Sequence, residues 1–366
     1  MLSVRRATES DLQEWNEFVY SCPTGTIYHS REWCDIHRRT FNSRVVDLVA
    51  REEGKIVGVF PFKFGYYSHP SVQNVPRPFW YKEISSPVGD IENPYGGPVC
   101  SLDRPGVFRF LLLEAFHIAM PFGRARVVLS PSMDKDQQIC QQIRSTRSEI
   151  SWRETLLLDL KQSMETIESR FIPDVRRNLR KSNQLGVKIR EAKDESEVGD
   201  YYRIIKETYL RSGFSPFPLS FYEDVFRTFK DSNQIKLLFA IYDEKPIATT
   251  AFLIDPNMVY SWTGGSLREY ARYNGYTFIW RYMIENAKKQ GHAVFDLTGI
   301  DRRLPGLARF KRSFGAELCT FPALKWHSPV SPPLDRLLIR HSERIVDIAM
   351  RHGYLQYFPA QERKKI

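Results

Sequence analysis

Apolar and polar positions along this chain follow two rhythms, and each change of rhythm marks an element. Ala7-Thr8-Glu9-Ser10-Asp11 leads into a helical spacing that carries Leu12, Trp15 and Phe18. Ser30 is placed to cap a second helix, Arg31–Arg39, with Trp33 on its inner face. Arg44–Arg51 and Lys55–Phe64 then switch to apolar, β-branched runs around Glu53-Gly54, the signal of a hairpin. Tyr66–Pro98 is rich in Pro and Tyr and reads as irregular, and a helix near Phe108–Ala119 and a strand at Arg126–Leu129 follow it. Met164–Gln184 predicts two helical pieces broken at Pro173, and further helices are expected over Glu195–Leu210 and Ser220–Lys230. Ile235–Tyr242 and Ile247–Ile254 form a second hairpin pattern.

The rest of the chain is organised around the stretch Val259–Leu318. A strand-like run, Val259–Trp262, ends at Gly264-Gly265. A helix from about Tyr276 to Lys289 carries a stripe of Phe278, Ile279, Tyr282, Met283 and Ala287. Gly291 ends it, and Ala293–Leu297 reads as a buried strand. Strand, helix and strand make a crossover unit, and the start of its helix is a natural anion site. Beyond it, Phe310-Lys311-Arg312-Ser313-Phe314-Gly315 sets a cation between two aromatics. After Pro329, Pro332 and Pro333 a basic amphipathic helix is expected over Leu334–Arg351, packed on the body of the protein or resting on a membrane surface.

The two hairpins repeat one another. Set 190 residues apart without gaps, Val49/Phe239, Ala50/Ala240, Glu53/Asp243, Lys55/Lys245, Val57/Ile247, Gly58/Ala248 and Phe62/Phe252 coincide in kind. Helices precede the hairpin, and a helix and strand follow it, in both halves. The expected fold is therefore α/β, a duplication of two similar domains, each with its own hairpin-containing sheet. The expected division is residues 1–160, 161–328 and a C-terminal helix over 329–366.

Composition narrows the function. The chain has 366 residues, of which 42% are apolar and 13% aromatic, enough for a large core. No apolar run approaches the ~20 residues that span a bilayer, and MLSVRRATESDLQEW lacks the apolar centre of a signal peptide. The five cysteines are scattered without metal-ligand spacing, so a reduced cytoplasmic setting and no structural metal are expected. A net charge of +10 favours anionic partners such as a nucleotide diphosphate, a phospholipid headgroup or RNA. The histidines form no Ser-His-Asp or Cys-His pattern that would support covalent catalysis.

Arg272-x-x-Gly275-x-Thr277 enters the crossover helix, where glycine lets a phosphate approach the free amides and Arg272 adds charge. A structural turn with a solvated arginine is the alternative. The pattern resembles the pyrophosphate loop of the GNAT acyltransferases, which makes Arg272, Gly275 and Thr277 candidates for binding an acyl-CoA donor. Phe310-Lys311-x-x-Phe314-Gly315 follows Phe295-Asp296, and a basic helix Arg176-Arg177-Asn178-Leu179-Arg180-Lys181-Ser182 precedes Gly186-Val187. Together with Ser30-x-Glu32-Trp33, Gly97-Pro98-Val99 and Gly264-x-Ser266, these motifs resemble the FemAB family of non-ribosomal aminoacyl transferases, built from two GNAT-like domains.

The resemblance implies transfer of an acyl or aminoacyl group to an amine of a cell-envelope precursor. The donor would be acyl-CoA or aminoacyl-tRNA, acting as co-substrate with no tightly bound cofactor. It implies that Lys311 contacts substrate phosphates and the reacting carbonyl. Trp33, Tyr95, Trp262, Phe310, Arg176, Arg177 and Lys181 become substrate-binding candidates. Gly96 stands where the family places an arginine, a departure that bears on the acceptor. Arg272 and Gly275 tilt the donor toward CoA. Asp296, ending an apolar strand, is the candidate base. Implied partners are an anionic nucleotide- or lipid-linked precursor, tRNA and a membrane surface. An envelope-biosynthesis scaffold that keeps the fold without catalysis is the alternative function. Each candidate also has a plainer role: core packing for Trp33 and Trp262, a solvated helix face for the arginines of 176–181.

Overall fold

Local chemistry sets the ends of most elements. The structure is a computed structural model, and it describes residues 2–66, 82–89, 94–133, 137–299 and 304–330. Strand β1 (Ser3–Arg6) leads to helix α1 (Glu9–Ser21), which begins with a capping box in which the Thr8 amide donates to Asp11 Oδ2 at 2.7 Å. The Ser30 hydroxyl accepts from the Trp33 amide at 3.1 Å and starts α2 (Arg31–Phe41), where the sequence places it. β2 (Val45–Glu52) and β3 (Lys55–Tyr66) form the first hairpin, turned by Glu53 and Gly54 at φ 51° and 79°. β4 (Lys82–Ser86), β5 (Val99–Cys100), α3 (Pro105–Ala119), β6 (Gly123–Val128), α4 (Gln137–Ser145) and β7 (Glu149–Asp159) complete the first half.

The second half opens with α5 (Met164–Ser169) and α6 (Pro173–Gln184), and Pro173 sits in the first turn of α6, where its missing N–H costs nothing. β8 (Lys188–Glu191), α7 (Val198–Arg211) and α8 (Leu219–Phe229) precede the second hairpin, β9 (Ile235–Tyr242) and β10 (Lys245–Ile254). Asp243 and Glu244 turn it at φ 49° and 57°, the same left-handed pair as Glu53 and Gly54 at the matched positions. β11 (Val259–Ser266), α9 (Gly275–Lys289), β12 (Val294–Asp296), α10 (Pro305–Arg312) and β13 (Glu317–His327) finish it.

The described strands build one sheet, in the order β1-β2-β3-β4-β6-β13-β7-β12-β11-β10-β9-β8, with β5 pairing β3 to the side. This corrects the expectation of a separate sheet for each half. The order nonetheless reads alike from both ends, and the two hairpins occupy equivalent places. A parallel pair, β4/β6 or β11/β12, also stands at the same distance from each edge. The halves have exchanged their last strands. β7 leaves the first half to pair with β12, while β13 leaves the second to pair with β6, and the two pair antiparallel from Glu317↔Leu157 to Lys325↔Glu149. Each inner edge, which would otherwise bare unpaired amides and carbonyls, is thereby covered.

β4, β7, β13 and α4 escape the pattern reading, because EISWRETLLLD and ELCTFPALKWH mix charges and a proline into their alternation. Phe310, Lys311 and Arg312 form the last turn of α10, and Ser313 caps it. The expected helix Leu334–Arg351 lies outside the described residues. Among the described residues, no helix is long and apolar enough to cross a membrane.

One face of the second half's sheet is covered by α7 and α8, whose Tyr201, Phe221 and Tyr222 share a core with Trp33 and Ile36 of α2. The other face packs on α5, α6 and α9 through Ile167, Val175, Ile279 and Trp280. Past β10, the fully buried Asp255 carboxylate accepts from the amides of Asn257 (2.8 Å), Met258 (2.9 Å) and Ile27 (2.9 Å), and from Tyr260 Oη (2.8 Å). It therefore ties the first half to the second.

Burial pushes the Asp255 carboxyl up from 3.8 to about 6, against the pull of those four donors. A raised pKa means that the folded state holds the proton more tightly than the unfolded one. The associated stability is full below the unfolded value and is lost as pH rises through about 6. Urea titrations of wild type and Asp255→Ala should therefore differ most at acid pH. The difference should shrink by about 2 kcal/mol between pH 4 and pH 7, and a pH-independent difference would contradict this account.

Candidate active site

β11, α9 and β12 form the expected parallel crossover, but the two strands stay paired only at Val259↔Phe295 and Tyr260↔Asp296. β11 continues to Ser266 while β12 ends at Asp296, so a fork opens at Asp296. A bulge sits at the same level. Ala251 faces Thr263 and Phe252 faces Ser261, which leaves Trp262 as the extra residue of β11.

Three donors converge on the fully buried Asp296. Tyr95 Oη donates to Oδ2 at 2.5 Å, Thr155 Oγ1 to Oδ1 at 2.6 Å and the Thr298 amide to Oδ1 at 2.7 Å. Tyr95 comes from the first half and Thr155 from the exchanged strand β7, so both halves complete this site. Thr298 holds φ at 62°, a rare conformation for a β-branched residue. Lys311 reaches from α10 to the same loop, with Nζ 3.0 Å from Thr298 Oγ1, 3.0 Å from the Gly299 carbonyl and 3.4 Å from the Thr298 carbonyl.

Burial governs the electrostatics. It raises the Asp296 carboxyl, opposed by Thr155, Tyr95, the Thr298 amide and the charge of Lys311. It also lifts the Tyr95 phenol well above its ordinary range, helped by the neighbouring Asp296. The Lys311 ammonium is pushed down to about 8 by burial, with Asp296 pulling the other way.

The aromatic candidates gather beside the fork. Tyr95 packs on Tyr28, Tyr260 and Phe321. Tyr28 meets Trp33 at 5.1 Å, and Trp33 meets the half-buried Trp262 at 5.9 Å. Trp33 is wholly buried, with its indole N–H 3.4 Å from the Val88 carbonyl. Phe310 turns to the opposite face, where its ring lies 5.2 Å from Tyr276 and 5.1 Å from Trp280, and so joins α10 to α9.

The remaining candidates lie apart, at the far end of β11. Six strand residues beyond Tyr260 correspond to roughly 20 Å. Arg272 donates to Tyr273 Oη at 2.7 Å and lies over its ring. A Cβ on Gly275 would come within 2.8 Å of Ala240 Cβ, so glycine there lets α9 close onto β9 and β10. Thr277 is buried in the first turn of the helix. α6 docks on this corner through Ser182 Oγ, 2.8 Å from the Tyr273 carbonyl, and turns its cations outward. Arg176 donates to the Ser169 carbonyl, Arg177 pairs with Asp174 at 3.0 Å, and Lys181 is exposed. Thr155 and Thr298 escaped the sequence reading. The positive φ of Thr298 has no composition signal, and Thr155 arrives on a strand that the pattern did not reveal. Among the described residues no cluster of His, Cys, Asp or Glu is arranged to hold a metal ion.

Residues 169–312 match the family model described as acetyltransferase (GNAT) domain. The crystal structure of FemX is similar over 92% of this chain and 99% of its own, with a TM-score of 0.71 at 14% identity. Residues 169–312 therefore carry a GNAT acetyltransferase domain, and the chain as a whole has a FemX-like fold. The C-terminal domain of a putative lysylphosphatidylglycerol synthetase from Agrobacterium fabrum also resembles it, with 12% identity, 88% and 92% coverage and a TM-score of 0.55. A tandem GNAT protein from the clavulanic acid biosynthesis pathway covers 90% of this chain over 100% of its own, at 11% identity and a TM-score of 0.50. No curated protein matches this FemX-like chain in sequence.

Tyr95→Phe deletes one of the three donors to Asp296 and keeps the ring packing. It should lower unfolding free energy by about 1–3 kcal/mol, read from the urea midpoint at constant slope. Asp296→Asn sets an amide donor against the donors that already converge there, and should cost more. Equal midpoints for wild type and both variants would refute the assignment.

Proposed function

We propose that this protein moves an acyl or aminoacyl group from an activated ester or thioester to an amine of an anionic envelope precursor. The observation that carries this reading is the fork at Asp296, where Tyr95, Thr155 and Lys311 meet. The amine attacks the donor carbonyl, and collapse of the tetrahedral oxyanion that forms breaks the bond to the donor's thiol or hydroxyl, which leaves with the proton lost by the amine. That oxyanion needs a preorganised positive partner. Lys311 fits that task. Thr298 and Gly299 hold its ammonium just beyond the fork, where an oxyanion or donor phosphate would compete for one of its protons. Asp296 is enclosed by its own donors, so its best role is to position Tyr95, Thr155 and the Thr298 loop. This moves it away from the base role that its place in the sequence suggests.

The polyanionic part of the donor belongs at the far end of β11, against the start of α9 and the cations of α6. An arm laid along β11 would cover the roughly 20 Å back to the fork. The amides at the start of α9 favour the pyrophosphate of CoA. The outward-facing Arg176, Arg177, Arg180 and Lys181 favour the larger polyanion, charged tRNA. Envelope chemistry rests on the likeness to FemX and to a lysylphosphatidylglycerol synthetase, and the cytoplasm would be the matching compartment.

Single-turnover transfer, screened with acyl-CoA and aminoacyl-tRNA donors, tests the reading. Lys311→Ala should slow transfer by about 10²–10³ while the exposed neighbour Arg312→Ala stays near wild type. Equal losses in both variants would reduce the motif to a helix end. The pH profile supplies a second check. The Lys311 cation persists below its pKa of about 8 and is lost above it, so the rate should fall as pH rises through 8. Lys311→Arg should abolish that fall.

A further inference from the structure

The first half repeats the fork with its charge reversed. β4 and β6 run parallel from Lys82↔Gly123 to Ser86↔Val127 and then part. The exchanged strands give the equivalence. Asp296 pairs with Leu157, the ninth residue of β7, and Arg126 pairs with Lys325, the ninth residue of β13. Arg126 therefore stands where Asp296 stands, and its β4 neighbour Ser85 stands where Tyr260 stands. A carboxylate in one copy has become a guanidinium in the other.

A cavity of about 120 Å³ opens at this first fork. Its walls include Arg126, Arg153 and Lys325 from three different strands, with Ser85, Ser86 and Ser151 beside them. Among the described residues Glu149 faces Lys325 in the register, while Arg126 and Arg153 bring two further cations to the same cavity. The volume is below that of a pocket for a whole small molecule and suits a single headgroup. Alternation along β7 and β13 brings Ser151, Arg153 and Lys325 to the face that carries Thr155. The segment Tyr95–Gly97 links this fork to the other one. The Gly96 amide donates to the Val128 carbonyl at 2.8 Å and the Gly97 amide to Ser86 Oγ at 2.8 Å, while Tyr95 Oη reaches Asp296.

We infer that the first fork is a phosphate-binding site, so that duplication has produced one half that reacts and one that holds a phosphorylated ligand. Resting on the function proposed above, that ligand is the acceptor, anchored one loop away from the carbonyl that its amine attacks. The binding itself is independent of that function and is measured without it.

Calorimetric titration of the full chain with inorganic pyrophosphate and with orthophosphate tests the site. Binding should saturate, weaken with added salt and fall at least tenfold in Arg153→Gln/Lys325→Gln. The control Lys193→Gln/Lys230→Gln, at exposed positions after β8 and at the end of α8, should bind as wild type. Both pairs are solvent-facing, and matching circular dichroism checks their folding. No saturable binding, or binding that survives the Arg153/Lys325 substitutions, overturns the site. In the transfer assay the same double variant should raise the acceptor KM with kcat retained. An unchanged KM beside lost pyrophosphate binding upholds the phosphate site and overturns its link to the acceptor. A chain that binds pyrophosphate but transfers nothing leaves the site standing and removes the function proposed above.

Discussion

The antiparallel pairing of β7 with β13 is the constraint on which this molecule depends. Each strand covers the open edge of the opposite half, so neither half is complete without the other. The exchange converts two small sheets into one and sets two parallel forks on either side of a common seam. It also delivers Thr155 and Lys325, residues of one half, into the fork of the other. On the transfer function proposed above, strand pairing would hold donor and acceptor side by side.

Charge at the two forks follows from what each must tolerate. Asp296 lies where no water reaches, and a carboxylate survives there because Tyr95, Thr155 and the Thr298 amide satisfy it and Lys311 is near. Lys311 is held in turn by oxygens of a loop whose strained residue, Thr298, is itself pinned by Asp296. Deleting one member leaves another buried and unpaired, so the cluster acts as a unit. At the first fork Arg126, Arg153 and Lys325 are exposed, which would suit exchange of a charged ligand.

The aromatic cluster of Tyr28, Trp33, Tyr95, Tyr260 and Trp262 joins the halves on one face of the sheet. Edge-to-face contacts among rings fix orientation as well as burying area. Trp33 and Tyr95 therefore shape the site from inside the core. Trp262, pushed out of register by the bulge, is the member of that set left half-buried.

Much of this was legible in the chain alone. Ser30, Pro173 and the paired hairpins act through backbone chemistry a few residues long, so their elements follow from sequence, as does the duplication. Lys311 and Asp296 could be singled out by residue type and position. Their partners could not, because Thr155 lies 141 residues and Tyr95 201 residues from Asp296. Contacts at that separation are chosen by strand exchange, which leaves no local periodicity to read. Gly275 shows the same limit from the other side. The sequence specifies a glycine, and the sheet beneath it determines that the glycine serves close packing.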